Sequence, residues 1–526
     1  MSFAGMAGQA RTGRATGSRL AYMLPLILLC AVFAVYRITL APDLTWAHGG
    51  ADGGDLITAA YRLGIPHPTG YPLYALLGHL FARLPAGNIA FRLHLMSAIC
   101  AAAAVAFFFS WTRAEAFANV RSVLQADLVA ISAALLLAFS PLFWSQAIIA
   151  EVYALNALFV AAILYLLWQW EAASQQPLLP LLSSLYGLGL GNHLTLLLLL
   201  PGTLYLIWSS PRRLSTRRHV ALTTAGTFLA GLCVYLYLPV RAASGPWPNW
   251  GNPTTLWRFA WVVSGSLYRP YLFGVPLATW PSRLTVWASH LLAQFGPCGV
   301  ILGAIGLAVA MRWRRRTAIA MLLTFGLYTT YALGYNAADA WVNLIPAYLI
   351  WAGWIAAGAL YLLHGAGSLT TPARGLTRGA LFLLLVLLPI SSSLQNLSRV
   401  DLSADREARQ YVESAVQLLP HDAVVITSTD GHTFALWYLQ EVEQRRHDLI
   451  VLDRDLVRYD WYRMQVAARA GLIIPSGEIG MADWWRETVT ALGAQRPVAL
   501  VDPDPSLLAG YTWRQEGSFY IWQRPS

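Results

Sequence analysis

Eleven apolar runs divide the first three quarters of the chain, at approximately residues 20–40, 89–111, 126–143, 151–169, 178–191, 194–209, 220–238, 286–311, 317–335, 341–362 and 379–394. A helix needs about 20 apolar residues to cross a bilayer. The longer runs meet that length, whereas the two short runs flanking Gly191 fit either two spans or a re-entrant hairpin. After Leu394 the apolar runs stop and charge density rises, so the sequence divides into a transmembrane module (1–394) and a soluble domain (395–526). In the second part, AVVITS (423–428), DLIVLDRDL (448–456) and PVALVD (497–502) read as buried strands and TFALWYLQEVEQ (433–444) as a helix. Strand, helix, strand implies a parallel pair with a crossover, hence a small α/β domain. The expected fold class is therefore mainly α: a polytopic bundle of about 11 transmembrane helices with a small C-terminal α/β domain.

Composition supports a membrane protein, with 57% hydrophobic and only 12% charged residues, where soluble domains carry about 25% charge. The net charge of +10 does not point to nucleic acid, because the basic residues cluster in short runs between apolar segments. With the N-terminus inside, Arg113, Arg121, the run 211–219, the run 312–316, Arg374 and Arg378 all fall on the cytoplasmic side, as the positive-inside rule requires. The first run follows Arg11, Arg14 and Arg19 without an obvious small-residue cleavage motif, so it reads as a retained anchor. Four cysteines lie within apolar segments and lack metal-ligand spacing. No Walker A, GxGxxG, HExxH or GxSxG motif occurs.

The same topology sends the polar residues of five separate segments to the opposite, external face. These are Asp52 and Asp55 in the first external loop (41–88), Glu151, the Asn192-His193 pair, Arg241, and Asn336 with Asp339. The charge rule did not impose this convergence, and an ionisable group beside long apolar runs is costly, so one assembled site is the economical explanation. Helix capping explains Asp52 or Asp55 equally well on spacing alone, and caps or headgroup contacts account for Asn336 and Asp339. The first loop also holds His48, His67, His79 and the turn ending at Tyr71. A second large external loop (239–285) carries Trp247, Trp250, Trp257, Trp261 and Trp280, residues that serve either an interfacial belt or an apolar face for a lipid tail or sugar ring. In the C-terminal domain, Asp430 and His432 lie in the turn STDGHT, at a strand end where α/β sheets commonly place ligands, although a turn alone explains Asp-Gly.

The segments ADGGDLITAAYRLGIPHPTGYPLYALLGHLFARLP, WSQAIIAEVYALNALF, GLGLGNHLT and LPVRAASGPWPNWGNPTTLWRF together resemble a bacterial membrane-protein family long catalogued as a domain of unknown function. Its eukaryotic relative is an endoplasmic-reticulum transmembrane protein O-mannosyltransferase. The resemblance covers most of the first 265 residues; where the family usually reads Gly-Asp-Ser-Gly-Glu, this chain reads Ala51-Asp52-Gly53-Gly54-Asp55, which favours Asp52 as the catalytic acid. It implies a glycosyltransferase of the GT-C architecture in the bacterial inner membrane, with a polyprenyl-phosphate-linked sugar as donor and a protein or glycan hydroxyl as acceptor. The chemistry of the residues themselves, beside the resemblance, assigns Asp52, Asp55 and Glu151 as catalytic acids and His67, Tyr71, Asn192, His193, Arg241 and Trp250 as substrate- or donor-binding groups. Asp52 is expected to serve as general base for inversion and Arg241 to grip phosphate through two nitrogens. Asp55 with Glu151 permits a divalent cation without demanding one, and the residues identify no other cofactor. The competing class is a lipid or solute transporter, which would place ionisable groups and broken helices near the bilayer midplane rather than at span ends. A third reading, a membrane anchor for the C-terminal domain, leaves the first loop unexplained.

Overall fold

A computed structural model describes residues 19–117, 122–173, 178–210, 218–368, 370–471, 474, 482–502 and 511–523. Arg11, Arg14, Arg121 and the basic run 211–217, which carried part of the orientation argument, lie outside the described residues. The membrane part runs α1 (Arg19–Thr39), α2 (Gly53–Arg62), α3 (Pro72–Ala82), α4 (Ile89–Phe117), α5 (Val123–Ala138), α6 (Pro141–Ala147), α7 (Tyr153–Ala173), α8 (Leu178–Leu190), α9 (Leu200–Trp208), α10 (Arg218–Leu232), α11 (Tyr237–Ala242), α12 (Leu256–Val263), α13 (Trp280–Trp313), α14 (Arg315–Gly334), α15 (Ile345–Gly365) and α16 (Thr371–Val400).

Seven helices are long and apolar enough to cross a membrane among the described residues, or eight if α5 and α6, bent by 68° at Phe139-Ser140, count as one broken span. The other predicted spans fall on shorter apolar helices: residues 23–39, 178–190 and 194–208. Pro72–Ala82, which the sequence placed in a loop, is a helix of the same short apolar kind. Burial separates an inner from an outer layer, since 83% of the apolar stretch of 340–365 is enclosed but only 17% of 372–400. The outer helices therefore present their side chains to lipid. Backbones approach closely where small residues meet, because in lipid the packing of helix on helix replaces the hydrophobic drive. A Cβ on Gly306 of α13 would stand 1.7 Å from the Trp354 carbonyl oxygen of α15, and one on Gly187 of α8 would stand 2.4 Å from the Phe228 oxygen of α10.

Helix α16 continues past Leu394 to Val400, and the α/β part follows as α17 (Glu407–Leu418), β1 (Val424–Thr427), α18 (Asp430–Glu441), β2 (Ile450–Asp453), α19 (Asp460–Ala470), α20 (Ala482–Gln495), β3 (Val498–Leu500), β4 (Thr512–Glu516) and β5 (Phe519–Gln523). The sheet order is β2-β1-β3-β5-β4. β1 pairs parallel with both β2 and β3, so the expected crossover is present, while β5 pairs antiparallel with β3 and β4. The β4–β5 hairpin was not foreseen. Helix α18 begins at Asp430, three residues earlier than the pattern predicted, because STDGHT is the helix's own first turn, with Asp430 where the dipole favours an acid.

The α/β domain packs against the loop end of the bundle. α18 lies on α2 so closely that a Cβ on Gly54 would sit 2.6 Å from the backbone carbon and oxygen of Phe434. Trp247 and Trp250 of the second loop pack edge-on against Trp437 and Phe434, and Trp261 meets Tyr459. These tryptophans join the two parts, a use that composition alone did not suggest; Trp257 remains 75% exposed. Gly54→Val is expected to cost about 1–3 kcal/mol through overpacking and to loosen α18 from α2. Thermal unfolding with hydrogen exchange over 430–441 checks this; unchanged protection there would contradict it.

Candidate active site at the first loop

Asp52 immediately precedes α2 and Asp55 lies in its first turn, yet neither caps the helix: Asp52 makes no side-chain capping bond. Capping is thus not what these acids do here. Asp55 is fully buried, and its Oδ2 accepts from the His67 backbone N–H (2.9 Å) and from His67 Nδ1 (2.8 Å), while its Oδ1 accepts from Trp250 Nε1 (3.1 Å). A carboxylate with three donors survives burial. Trp250 reaches Asp55 because the second loop is stitched to the first: Ile65 N–H donates to the Pro248 carbonyl (2.7 Å) and Trp250 N–H to the Ile65 carbonyl (3.1 Å).

The other nitrogen of His67 faces Asp52, with Nε2 to Oδ2 at 3.7 Å. That is an ion-pair distance rather than a hydrogen bond. Asp52 keeps a 39% exposed side chain whereas His67 keeps 8%. The result is a line of charges, with buried Asp55 behind, the imidazole between and a water-reachable carboxylate in front. Burial pulls the His67 imidazolium down, but Asp52, Asp55 and Glu151 outweigh it and hold the group up at about 9. Asp52 is raised from its ordinary range, by burial first and by Asp55 and Asp339 after it, with His67 opposing.

His67 is therefore charged at neutral pH. Its stabilising contribution is complete below the ordinary histidine value of about 6.5 and disappears as pH rises through about 9. We expect the thermal midpoint to fall between about pH 7 and pH 10, with the fall attenuated in His67→Gln. Parallel profiles for the two proteins would remove His67 as its source.

Glu151, in the turn between α6 and α7, is buried; its Oε2 accepts from the Val152 N–H at 3.3 Å and its Oε1 has no partner among the described residues. Burial, then Asp52, pushes its carboxyl well above the usual range. Asn192 donates to the Val152 carbonyl (3.0 Å) and so fixes that turn. His193 takes the Thr195 hydroxyl on Nδ1 (2.6 Å) and stacks on Tyr71, which in turn meets the His67 ring edge-on at 5.0 Å. Tyr71 holds a left-handed backbone with φ of 34°, an uncommon conformation for a bulky residue.

Asp52, Asp55, His67, Tyr71, Glu151, Asn192, His193 and Trp250 thus form one connected neighbourhood. Arg241 stands aside from it: Nε donates to the Leu63 carbonyl (2.7 Å) and Nη2 to the Arg62 carbonyl (3.3 Å), closing the C-terminal end of α2. The expected two-nitrogen grip on phosphate is reduced to what Nη1 can supply. The residues also do not suit a metal pair of Asp55 and Glu151, since donors occupy both Asp55 oxygens. No group of three potential ligands converges among the described residues.

Two groups, Tyr153 and Tyr268, escaped the sequence-based reading of the site, while Asp430 was singled out there as a ligand contact of the C-terminal domain but not joined to the first-loop acids. Tyr153 donates to Asp339 Oδ2 (3.1 Å) and lies against His193; its position two residues after Glu151 was the available signal. Tyr268, from the second loop, faces His67 at 6.4 Å. Asp430 enters from the α/β domain, beside Trp46, whose indole donates to the Gly431 carbonyl (3.1 Å) and packs on His432. Burial, then the neighbouring Asp52, lifts Asp430 to about 7.

Two stretches match known families: residues 52–216 match the protein O-mannosyl-transferase TMEM260 N-terminal domain, and residues 405–472 match the TMEM260-associated domain 2. The first contains Asp52, Asp55, His67, Glu151 and His193, and the second contains Asp430. The mouse protein O-mannosyl-transferase TMEM260 is 28% identical over 491 residues, covering 88% of this chain and 66% of the mouse protein. Its Dictyostelium discoideum counterpart is 23% identical over 503 residues, covering 85% and 59% respectively. The chain spans less than two thirds of the length of these relatives. Among solved structures, ArnT from Cupriavidus metallidurans superposes in its undecaprenyl phosphate complex with a TM-score of 0.53 at 14% identity, and in its apo state with 0.55 at 13%; each comparison covers 96% of this chain and 98% of ArnT. The chain is accordingly a polytopic membrane protein related to the eukaryotic TMEM260 protein O-mannosyl-transferases, and it has the GT-C fold of ArnT.

Proposed function

We propose that this protein is an inverting glycosyltransferase that moves a mannose-like hexose from a polyprenyl-phosphate donor to a protein hydroxyl at the extracytoplasmic face of the membrane. The observation that carries the reading is the Asp55–His67–Asp52 line, in which a buried carboxylate and a charged imidazole hold a water-reachable carboxylate at the loop end of the bundle. The O-mannosyl-transferase relatives support the sugar and acceptor class. The undecaprenyl phosphate bound to ArnT supports a polyprenyl phosphate carrier.

In the step proposed, the acceptor hydroxyl oxygen attacks the anomeric carbon while Asp52 takes its proton. The bond from the anomeric carbon to the phosphate oxygen breaks, and its electron pair leaves with the polyprenyl phosphate. A single displacement of this kind inverts the anomeric centre. Asp52 suits the base because its raised pKa makes it a better proton acceptor than an ordinary aspartate, while His67 keeps it ionised. Asp52, while ionised, favours positive charge developing on the sugar ring. Asp430, arriving from α18, faces the acceptor side. The test is to incubate the purified full chain with radiolabelled polyprenyl-phosphate mannose and a Ser/Thr-containing acceptor protein. Label on the protein supports transfer; donor that stays intact through the incubation refutes it.

A further inference from the structure

A second polar cleft, of about 320 Å³, lies at the other end of α2, between its C-terminus and that of α3. Tyr61, Arg62, His79, Ala82 and Arg83 bound it. Ten residues of helix separate Arg62 from Asp52, or about 15 Å at 1.5 Å per residue, so this is not the place where the sugar reacts.

The cleft carries uncompensated positive charge. His79 Nδ1 faces the carbonyls of Ala60 (3.0 Å) and Tyr61 (3.1 Å), so this nitrogen bears the proton, and Nε2 accepts from Arg83 Nη2 at 2.8 Å. Arg83 bonds His79 and has no carboxylate partner among the described residues. Arg62, with a 48% exposed side chain, shares with Arg469 the one carboxylate it reaches among the described residues, Glu441. Beside this charge runs a greasy strip: Leu76 and Leu80, on successive turns of α3, and Leu84, just past its end, are 38%, 60% and 37% exposed. Guanidiniums at the polar end of an exposed leucine row match a ligand with a phosphate at one end and hydrocarbon at the other.

We propose that the cleft between the C-terminal ends of α2 and α3 binds the phosphate headgroup of an anionic glycerophospholipid, with Arg62 and Arg83 on the phosphate oxygens and the Leu76–Leu80 face against the acyl chains. Such a lipid would brace the far end of the helix that carries Asp52 and Asp55. The inference rests on the chain being a membrane protein and not on sugar transfer, so the two can fail separately.

The test measures binding to the purified full chain in neutral detergent, by native mass spectrometry and thermal shift, with phosphatidylglycerol, phosphatidylcholine or inorganic phosphate added. Phosphatidylglycerol is expected to bind wild type and Asp52→Asn alike, and to need about tenfold more lipid for the Arg62→Gln/Arg83→Gln protein, which is one lost charge-assisted contact or more. Arg83→Gln alone, whose amide can still donate to His79, guards against a double variant that fails to fold and should show a lesser loss in the same direction. Equal phosphatidylglycerol binding by wild type and Arg83→Gln overturns the proposal. So does an equal response to inorganic phosphate, which would mark a soluble-anion site, or to phosphatidylcholine, which would mark unselective lipid contact.

Discussion

Asp52→Asn is expected to slow sugar transfer by about 10²–10⁴-fold, the usual worth of a positioned general base, while leaving the protein folded and inserted. The carboxamide keeps the shape and the exposed position of the side chain but cannot take the acceptor's proton. The carboxylate makes no capping bond, and its close polar neighbour among the described residues, His67, lies at 3.7 Å, beyond hydrogen-bond distance. Rates in proteoliposomes, set beside the thermal midpoint of the same preparation, check the claim. Loss of transfer with an unchanged midpoint is the expected pattern, and wild-type rates in the folded variant would dismiss Asp52 as base.

Asp55→Ala is expected to act chiefly on stability. It removes the acceptor of three donors from a fully buried position and leaves the His67 charge without its nearest partner. Breaking a buried pair by deleting one member costs about 3–5 kcal/mol. The same substitution frees the Trp250 indole N–H and so weakens the link between the two loops. Denaturant unfolding measures the loss, and the descent of stability above neutral pH should flatten because His67 loses the hydrogen bond and the charge of Asp55 that help to hold its pKa up. Asp55→Asn, which keeps one acceptor oxygen, should fall between. A variant as stable as wild type would show that Asp55 does not anchor His67.

Why the sequence revealed some of this and not the rest follows from the range of each interaction. Apolar runs and basic loops are local signals, so they located the long helices and the parallel strand pair. The same signals overstated Leu178–Leu190 and Leu194–Trp208, whose apolar stretch is too short for a straight span. Asp52, Asp55 and His67 lie within sixteen residues of one another and were legible as a group. Their division of labour was not, because it depends on Trp250, 195 residues further along, selecting Asp55 as the buried partner. Arg241 illustrates the opposite error: its residue type suits phosphate, but the end of α2 offers two unpaired carbonyls that claim its nitrogens. The tryptophans of the second loop matched an interfacial belt by composition, and only the docking of α18 shows that Trp247 and Trp250 face protein. Asp430 reaches the site for the same reason, through a contact between parts of the chain that no local pattern encodes.

Whether Asp52 and His67 act as one unit is decided by a double-mutant cycle on the single-turnover transfer rate. The cycle compares wild type, Asp52→Asn, His67→Gln and the double variant, using radiolabelled polyprenyl-phosphate mannose. The account predicts strong non-additivity, with the double variant scarcely slower than Asp52→Asn alone. Losses that multiply independently would contradict it.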